Sequence, residues 1–370
     1  MENHFDIIVL GAGIAGASVA AHLAEHRTIA ILDMEDRAGY HTTSRSAASF
    51  EPNYGPNPIL ALTRASRDFF MNPPEGFSDA PLFTKRGSVV LEAKGQEKAA
   101  EVFLAKAVNI EELSEAQLRA MIPVLRKGYA TRGFLEPGTG ALDVDLLHRG
   151  YLRLFKQRGG VLKLQAGATK IKKMGETWHI ETPQGVFTTK LIVNAAGAWG
   201  DQVALLAGVK PVGLLPKRRS IGVISVAGYD VMKWPFMVDC AESWYAVPQS
   251  GKLLVSSADA TPVEPHDAYA DDEAIAIGID RLMQATTIDV QHMEHSWGGL
   301  RSFVDDHCPV VGFDPSTEGF FWLVGQGGYG IQTSPALSRT AAAMLLRQPI
   351  PADVLAAGLD INDILANRLR

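Results

Sequence analysis

The chain has 370 residues, 46% hydrophobic and 21% charged, with a formal charge of −6 at pH 7. That length implies two domains or one large interrupted one, and the composition is that of a soluble globular protein. The acidic balance without any basic block excludes a nucleic-acid surface, and no stretch approaches the ~20 apolar residues that span a bilayer. Cys240 and Cys308 have no metal-type spacing, so they read as reduced thiols and no metal site is expected. The apolar N-terminus lacks a basic n-region before its glycines, which argues against a signal peptide and makes a cytoplasmic location the expectation.

The first predicted element is a strand at Ile7-Ile8-Val9-Leu10, a run too short for a helix and apolar enough to be buried on both faces. It breaks at Gly11-Ala12-Gly13-Ile14-Ala15-Gly16, continues as a helix over 17–26, and returns as a strand over 28–32 that ends at Asp33. This is the G-x-G-x-x-G βαβ pattern of dinucleotide binding. Gly11 permits the turn, Gly13 lets a pyrophosphate approach the backbone, and Gly16 lets the helix pack close to the sheet. The unpaired N–H groups of the helix's first turn suit phosphates, and Asp33 stands where a carboxylate accepts from an adenosine ribose. The other reading is a strand–turn–helix whose glycines serve packing alone.

The hydroxyl-rich segment His41-Thr42-Thr43-Ser44-Arg45-Ser46-Ala47-Ala48-Ser49 follows. Its small side chains would let backbone pass a flat ring system while hydroxyls and Arg45 hold phosphates; by composition it is equally an ordinary polar loop. Helices are predicted over 59–71, 97–107 and 114–121, the last opening with a Ser114/Gln117 capping box. Another spans 144–156 with Asp143 as N-cap. Residues 81–93 and 161–164 read as strands, and 166–168 as a small-residue turn. Residues 177–181 and 186–189 form a hairpin around Pro183-Gln184-Gly185. A buried strand, Leu191-Ile192-Val193, runs into Asn194-Ala195-Ala196-Gly197, where small residues fit a backbone closing over a cofactor or simply close packing. Short strands and turns fill 212–290, with a turn at Pro248-Gln249-Ser250-Gly251 and a helix over 271–284. The strand 320–324, the loop Gly325–Gly330 and a helix over 334–347, with Pro335 in its first turn, complete the chain.

The motifs GAGIAGAS, HTTSRSAAS, Val193–Trp199, Pro216–Ser220, Trp297–Phe303 and Gly325–Thr333 together resemble the D-amino-acid-oxidase superfamily of FAD proteins, and within it the bacterial D-arginine dehydrogenase type. The similarity covers nearly the whole chain. It implies an α/β fold in which a Rossmann-like FAD-binding domain of discontinuous segments (1–81, 145–212, 300–370) carries an inserted, mainly antiparallel sheet substrate domain (82–144, 213–299). It assigns non-covalent FAD to Gly11, Gly13, Ala15, Gly16, Asp33, Met34 and the run Thr42, Thr43, Ser44, Arg45, Ser46, Ala47, Ala48 and Ser49. It adds Ala168 beside the adenine, Ala196, Gly197 and Trp199, and then Gly328, Tyr329, Gly330, Ile331 and Gln332 toward the flavin.

The same resemblance places Arg219 and Arg301 on the substrate α-carboxylate, Tyr54 and Tyr245 along the pocket, and the Gly328 carbonyl on the amine. Without it, two structural salt bridges and two core aromatics are the simpler readings. Ser49 stands where the D-arginine type has a histidine, and Gly87-Ser88 where it has a glutamate for a distal cation. Glu51 and Glu242 are the remaining acids near the pocket, or else surface residues; Phe236 reads as pocket wall or core. No side-chain base is required, since hydride passes from Cα of a neutral amine to flavin N5. The implied activity is oxidative deamination of D-amino acids with an unknown electron acceptor. The alternatives are a sarcosine- or glycine-oxidase-like amine oxidase and an FAD-dependent 2-hydroxy-acid dehydrogenase.

Overall fold

In the computed structural model, which describes residues 3–370, strand His4–Leu10 pairs in parallel with Ile29–Leu32 on one side and Gly185–Asn194 on the other. The expected βαβ unit therefore forms at the middle of an eight-stranded sheet. Its side chains alternate as a doubly covered sheet requires. Ile7, Val9, Ile29 and Ile31 join one core with helices Ile14–Leu23, Val144–Gln157 and Gly330–Leu345. Ile8, Leu10, Ala30 and Leu32 face the other way, onto Trp178, Phe320 and Trp322. Gly185–Asn194 is one continuous strand with two partners on its far edge. Its first half closes the expected hairpin with Thr177–Thr182, and its end runs parallel to Phe320–Val324.

A second, nine-stranded sheet holds the strands from 88–136 and 215–303. Along it lie Leu215–Ile224, Lys252–Ser256, Tyr245–Gln249, Phe236–Asp239, Ser88–Ala93 and Ala130–Glu136 in spatial order, with His295–Phe303 paired along Leu215–Ile224. The nine residues of His295–Phe303 run straight through the junction expected at 299–300. A three-stranded sheet of Ser49–Phe50, Gly140–Leu142 and Phe83–Lys85 stands apart from both.

Local expectations hold where chemistry is local. Ser114 and Gln117 make the reciprocal capping box, and Asp143 accepts from Leu146 N–H at the start of its helix. Three readings change. Strands Glu111–Ser114, Ala130–Glu136, Gly140–Leu142 and Lys170–Met174 were not foreseen, because they are short or charged and are held by their partners. Pro248 and Gln249 lie inside a strand, and only Ser250 and Gly251, both at positive φ, make the turn. The last long helix begins at Gly330, so Pro335 is inside it. Ser334 Oγ donates to Ile331 O at 3.0 Å, occupying the carbonyl that proline, lacking an N–H, leaves unbonded. Among the described residues no helix is long and apolar enough to cross a membrane.

Candidate active site

A cavity of about 350 Å³ is lined by strands of the nine-stranded sheet and by loops and helix starts that follow strands of the eight-stranded one. At one side stand Gly13, Ile14 and Ala15, where the first helix starts with no side-chain cap on its N-cap residue and no acid in its first turn. The glycines divide their work. A Cβ on Gly11 (φ +108°) would stand 2.5 Å from Ala195 O, and one on Gly16 would stand 1.9 Å from Gly11 O. Those two exist for close backbone packing, whereas Gly13 faces the cavity with only Thr43 Oγ1 near, at 3.2 Å. Thr43 Oγ1 accepts from Ile14 N–H at 3.0 Å. Asp33 braces this turn, accepting from Ala12 N–H at 2.5 Å and Glu35 N–H at 2.9 Å. His148, absent from the sequence reading, is buried under the same turn with Nε2 donating to Ala12 O at 2.8 Å, and burial holds its pKa below the ordinary range.

At the other side the helix Gly330–Leu345 also begins uncapped and without an acid, with Gly330, Ile331 and Gln332 on the cavity. Gln332 is 4% exposed; its Oε1 accepts from Glu51 N–H at 2.9 Å while its Nε2 has no partner. A buried amide donor left unbonded costs about 1–3 kcal/mol, so this end is built for an acceptor. Two helix starts whose N-cap residues supply no side-chain cap, a glycine open to the cavity and an orphaned amide suit a diphosphate at one end and a pyrimidine carbonyl at the other. The residues present fit FAD.

Not every expected cofactor contact lines this cavity. Gly13, Ala15, Thr42, Thr43, Arg45, Ser46, Ala47, Ala48, Ser49, Gly197, Gly328, Gly330, Ile331 and Gln332 do. Asp33, Met34 and Ala168 lie beyond it, where Asp33 O accepts from Ala166 N–H and Gly167 packs on Met34. Ala196 and Trp199 are also off the lining; Trp199 lies against His41, ring centroids 4.4 Å apart. Tyr329 packs its side chain with Ile59 and Phe303. The proposed phosphate role of the 42–46 side chains meets competing partners. Arg45 binds Asp267 Oδ1 at 2.5 Å and Ala268 O at 2.8 Å, and the Thr42, Ser44 and Ser46 hydroxyls bond back to main-chain carbonyls. This loop is stitched to the substrate-side sheet: Thr42 Oγ1 to Leu300 O, Arg45 to Gly298 O, and Trp297 Nε1 to Arg45 O.

The substrate candidates converge better. Arg301 donates to Tyr54 Oη at 2.8 Å and has no carboxylate within 4 Å among the described residues. Gly328 backs it so closely that a Cβ there would stand 1.9 Å from Arg301 Nη2. Arg219 reaches the same cavity beside Tyr245, its guanidinium carbon 5.7 Å from the ring centroid, but its Nε is held by Asp259 O at 2.7 Å. Tyr245 stacks on Phe236 at 5.7 Å, and both line the wall. Glu242 is exposed at the lining, whereas Glu51 is buried in it. Cys240 also lines the cavity; burial, then Glu92 and Asp239, push its thiol up to about 12, which keeps it protonated and a poor nucleophile.

Gly328→Ala should displace the Arg301 guanidinium and lower kcat/KM about 100-fold, the loss of one or two charge-assisted hydrogen bonds. The flavin absorbance per mole of protein should stay unchanged, and a loss of flavin instead would assign Gly328 to the cofactor alone.

The sequence profile described as "FAD dependent oxidoreductase" (DAO) matches residues 6–344. Glycine oxidase of Geobacillus kaustophilus is 22% identical over 378 residues, covering 96% of each chain. Human mitochondrial dimethylglycine dehydrogenase is 22% identical over 390 residues, which is 96% of this chain but 44% of that protein. The chain thus spans less than half of that dehydrogenase and nearly all of the oxidase. Among solved structures, glycine oxidase from Geobacillus kaustophilus superposes with a TM-score of 0.83 at 19% identity, covering 97% of this chain and 99% of that one.

Proposed function

The chain belongs to the DAO family of FAD-dependent oxidoreductases, and from that premise we propose that it oxidises the Cα–N bond of D-amino acids, giving 2-oxo acids and ammonia. The observation that carries this reading is the Arg301 guanidinium, tied to a phenol but to no carboxylate, on a cavity that fits FAD. A partly buried cation without a counter-charge is costly unless a ligand supplies one, and a fork of N–H donors suits a carboxylate. Arg219 adds a second cation to the same wall.

FAD, when bound, supplies the two-electron acceptor for the substrate. The chain's own residues do the rest. Arg301 and Arg219 orient the carboxylate, Tyr54 fixes Arg301, and the Gly328 carbonyl receives the amine. Tyr245 and Phe236 wall the substrate side chain away from water. The start of helix Gly330–Leu345 would set its positive end against negative charge that gathers on the ring during reduction. Glycine and N-methylglycines form the second reading, favoured by the glycine oxidase and dimethylglycine dehydrogenase relatives.

Anaerobic mixing of the yellow protein with D- and L-amino acids, glycine, sarcosine and 2-hydroxy acids decides between them. Bleaching of the flavin band by D-amino acids is the expected result. Bleaching only by glycine or sarcosine moves the assignment to the second reading, and bleaching only by hydroxy acids overturns both.

A further inference from the structure

One four-residue turn, Glu51-Pro52-Asn53-Tyr54, connects the carboxylate seat to a pair of buried acids the sequence reading did not assemble. Tyr54 N–H bonds Glu51 O at 3.2 Å and closes the turn, while Tyr54 Oη holds Arg301. Asn53 Nδ2 donates to Glu136 Oε2 at 2.5 Å, reaching the strand Ala130–Glu136 of the second sheet. Glu51 Oε1 lies 2.5 Å from Ser49 Oγ. Glu51 Oε2 and Glu136 Oε1 have no hydrogen bond among the described residues, although both residues are 9% exposed or less and line the cavity.

A second observation also points to a ligand here. Ser88, directly opposite Glu136 in the strand register, is 1% exposed and lines the cavity. Its Oγ makes no hydrogen bond of normal geometry, though it stands close enough to Glu51 to favour the carboxylate. Two carboxyls and a hydroxyl with open acceptor sites are what a group rich in N–H donors requires.

The charges nearby add up in the same sense. Glu51 faces Glu136 and, from the loop before strand Ser88–Ala93, Arg86, which reaches Ser49 Oγ at 3.3 Å. The other charged residues on the cavity wall are Lys106, Asp239, Glu242, Arg45, Arg219 and Arg301. Arg86 offsets one of the two carboxylates and leaves the second unmatched. Burial first, then mutual repulsion, holds Glu51 well above the usual carboxylate range, and burial does the same for Glu136. Such a pair retains one proton near neutrality and has one basic site to offer.

We propose that the Glu51–Glu136 pair accepts the proton of the substrate's α-ammonium. Two ties join Glu51 to the residues proposed to hold that group. Glu51 N–H bonds the Gln332 side chain in the first turn of helix Gly330–Leu345, and the loop leading into that helix holds the Gly328 that backs Arg301. The closed turn at 51–54 keeps the Cα atoms of Glu51 and Tyr54, whose Oη bonds Arg301, within about 7 Å. Glu51, Gly328 and Arg301 all line the one cavity. The step breaks one N–H bond, leaves its electron pair on nitrogen, and forms one O–H bond on the carboxylate pair. The amine is then neutral, as loss of the Cα hydrogen with its electron pair requires.

This rests on the proposed function and fails separately from it. If no amino acid bleaches the flavin, that reading falls; the present proposal is tested on substrates that do bleach it. The wild type should show kcat/KM for D-alanine falling on the acid side of an ionisation near neutrality. Glu51→Gln should lower kcat/KM about 100-fold at pH 7.5 and recover toward pH 10, where the free amine is already neutral. Glu136→Gln should move the same limb by about one pH unit. A readout independent of turnover is infrared difference spectroscopy with 2-aminoisobutyrate, which has no Cα hydrogen to lose. A protonated-carboxyl band should grow on binding to the wild type and be absent in Glu51→Gln. An unchanged pH limb in both variants overturns the proposal. So does a loss confined to substrates with a cationic side chain, which would make the pair a side-chain subsite.

Discussion

Arg301→Met is expected to lower kcat/KM about 10³-fold for any carboxylate substrate while the protein stays yellow. Truncating one member of a desolvated charge pair costs about 2–5 kcal/mol, and 4 kcal/mol is about three decades in rate. The loss should appear mainly in KM if the guanidinium holds ground state and transition state alike, and in kcat as well if it sets the alignment. The methionine also releases Tyr54 Oη, whose 2.8 Å bond is to this side chain. Arg219→Met should cost less, about tenfold, because Asp259 already holds its Nε. Steady-state kinetics with flavin absorbance in parallel measures all of these. Unchanged substrate affinity in Arg301→Met would remove the carboxylate seat from this residue.

The second large effect is on the cofactor. Gly16→Val should yield colourless protein, destabilised by about 3–5 kcal/mol. The new side chain would begin 1.9 Å from Gly11 O and 3.2 Å from Val9, so the helix must lift from the strand. Lifting it moves the N-terminus that faces the cavity at Gly13. Gly138→Ala is the matched control: a Cβ there meets nothing within 4 Å, and stability should change by no more than about 0.5 kcal/mol. Thermal unfolding and the ratio of flavin to protein absorbance read both variants. A yellow, fully stable Gly16→Val protein would contradict the packing described for this turn.

The second of these predictions draws on a part of the molecule that was plain in the sequence. The glycine turn, the capping box at Ser114 and the N-cap at Asp143 are fixed by residues within a few positions of one another, so spacing alone locates them. Arg301 and Tyr54 were named through family resemblance, not from their surroundings, and the structure joins them across 247 positions. What stayed hidden has the same cause. Glu136 reaches Asn53 across 83 positions, from a strand whose short, mixed sequence carries little strand signal. Arg45 looked like a phosphate ligand because its neighbours are hydroxyls, but its partner Asp267 lies 222 positions away. The start of the last helix was missed because Pro335 resembles a first-turn residue, and nothing in the pattern shows that Ser334 substitutes for its missing donor.

The seam formed by Thr42, Arg45 and Trp297 joins the loop after the first βαβ unit to the strand that carries Arg301. On the proposed function, one hydrogen-bonded piece therefore serves two ligands. Attempts to re-engineer substrate choice along 297–301 will register first as weaker retention of the flavin, and stripping the flavin will loosen the arginine before any substrate arrives.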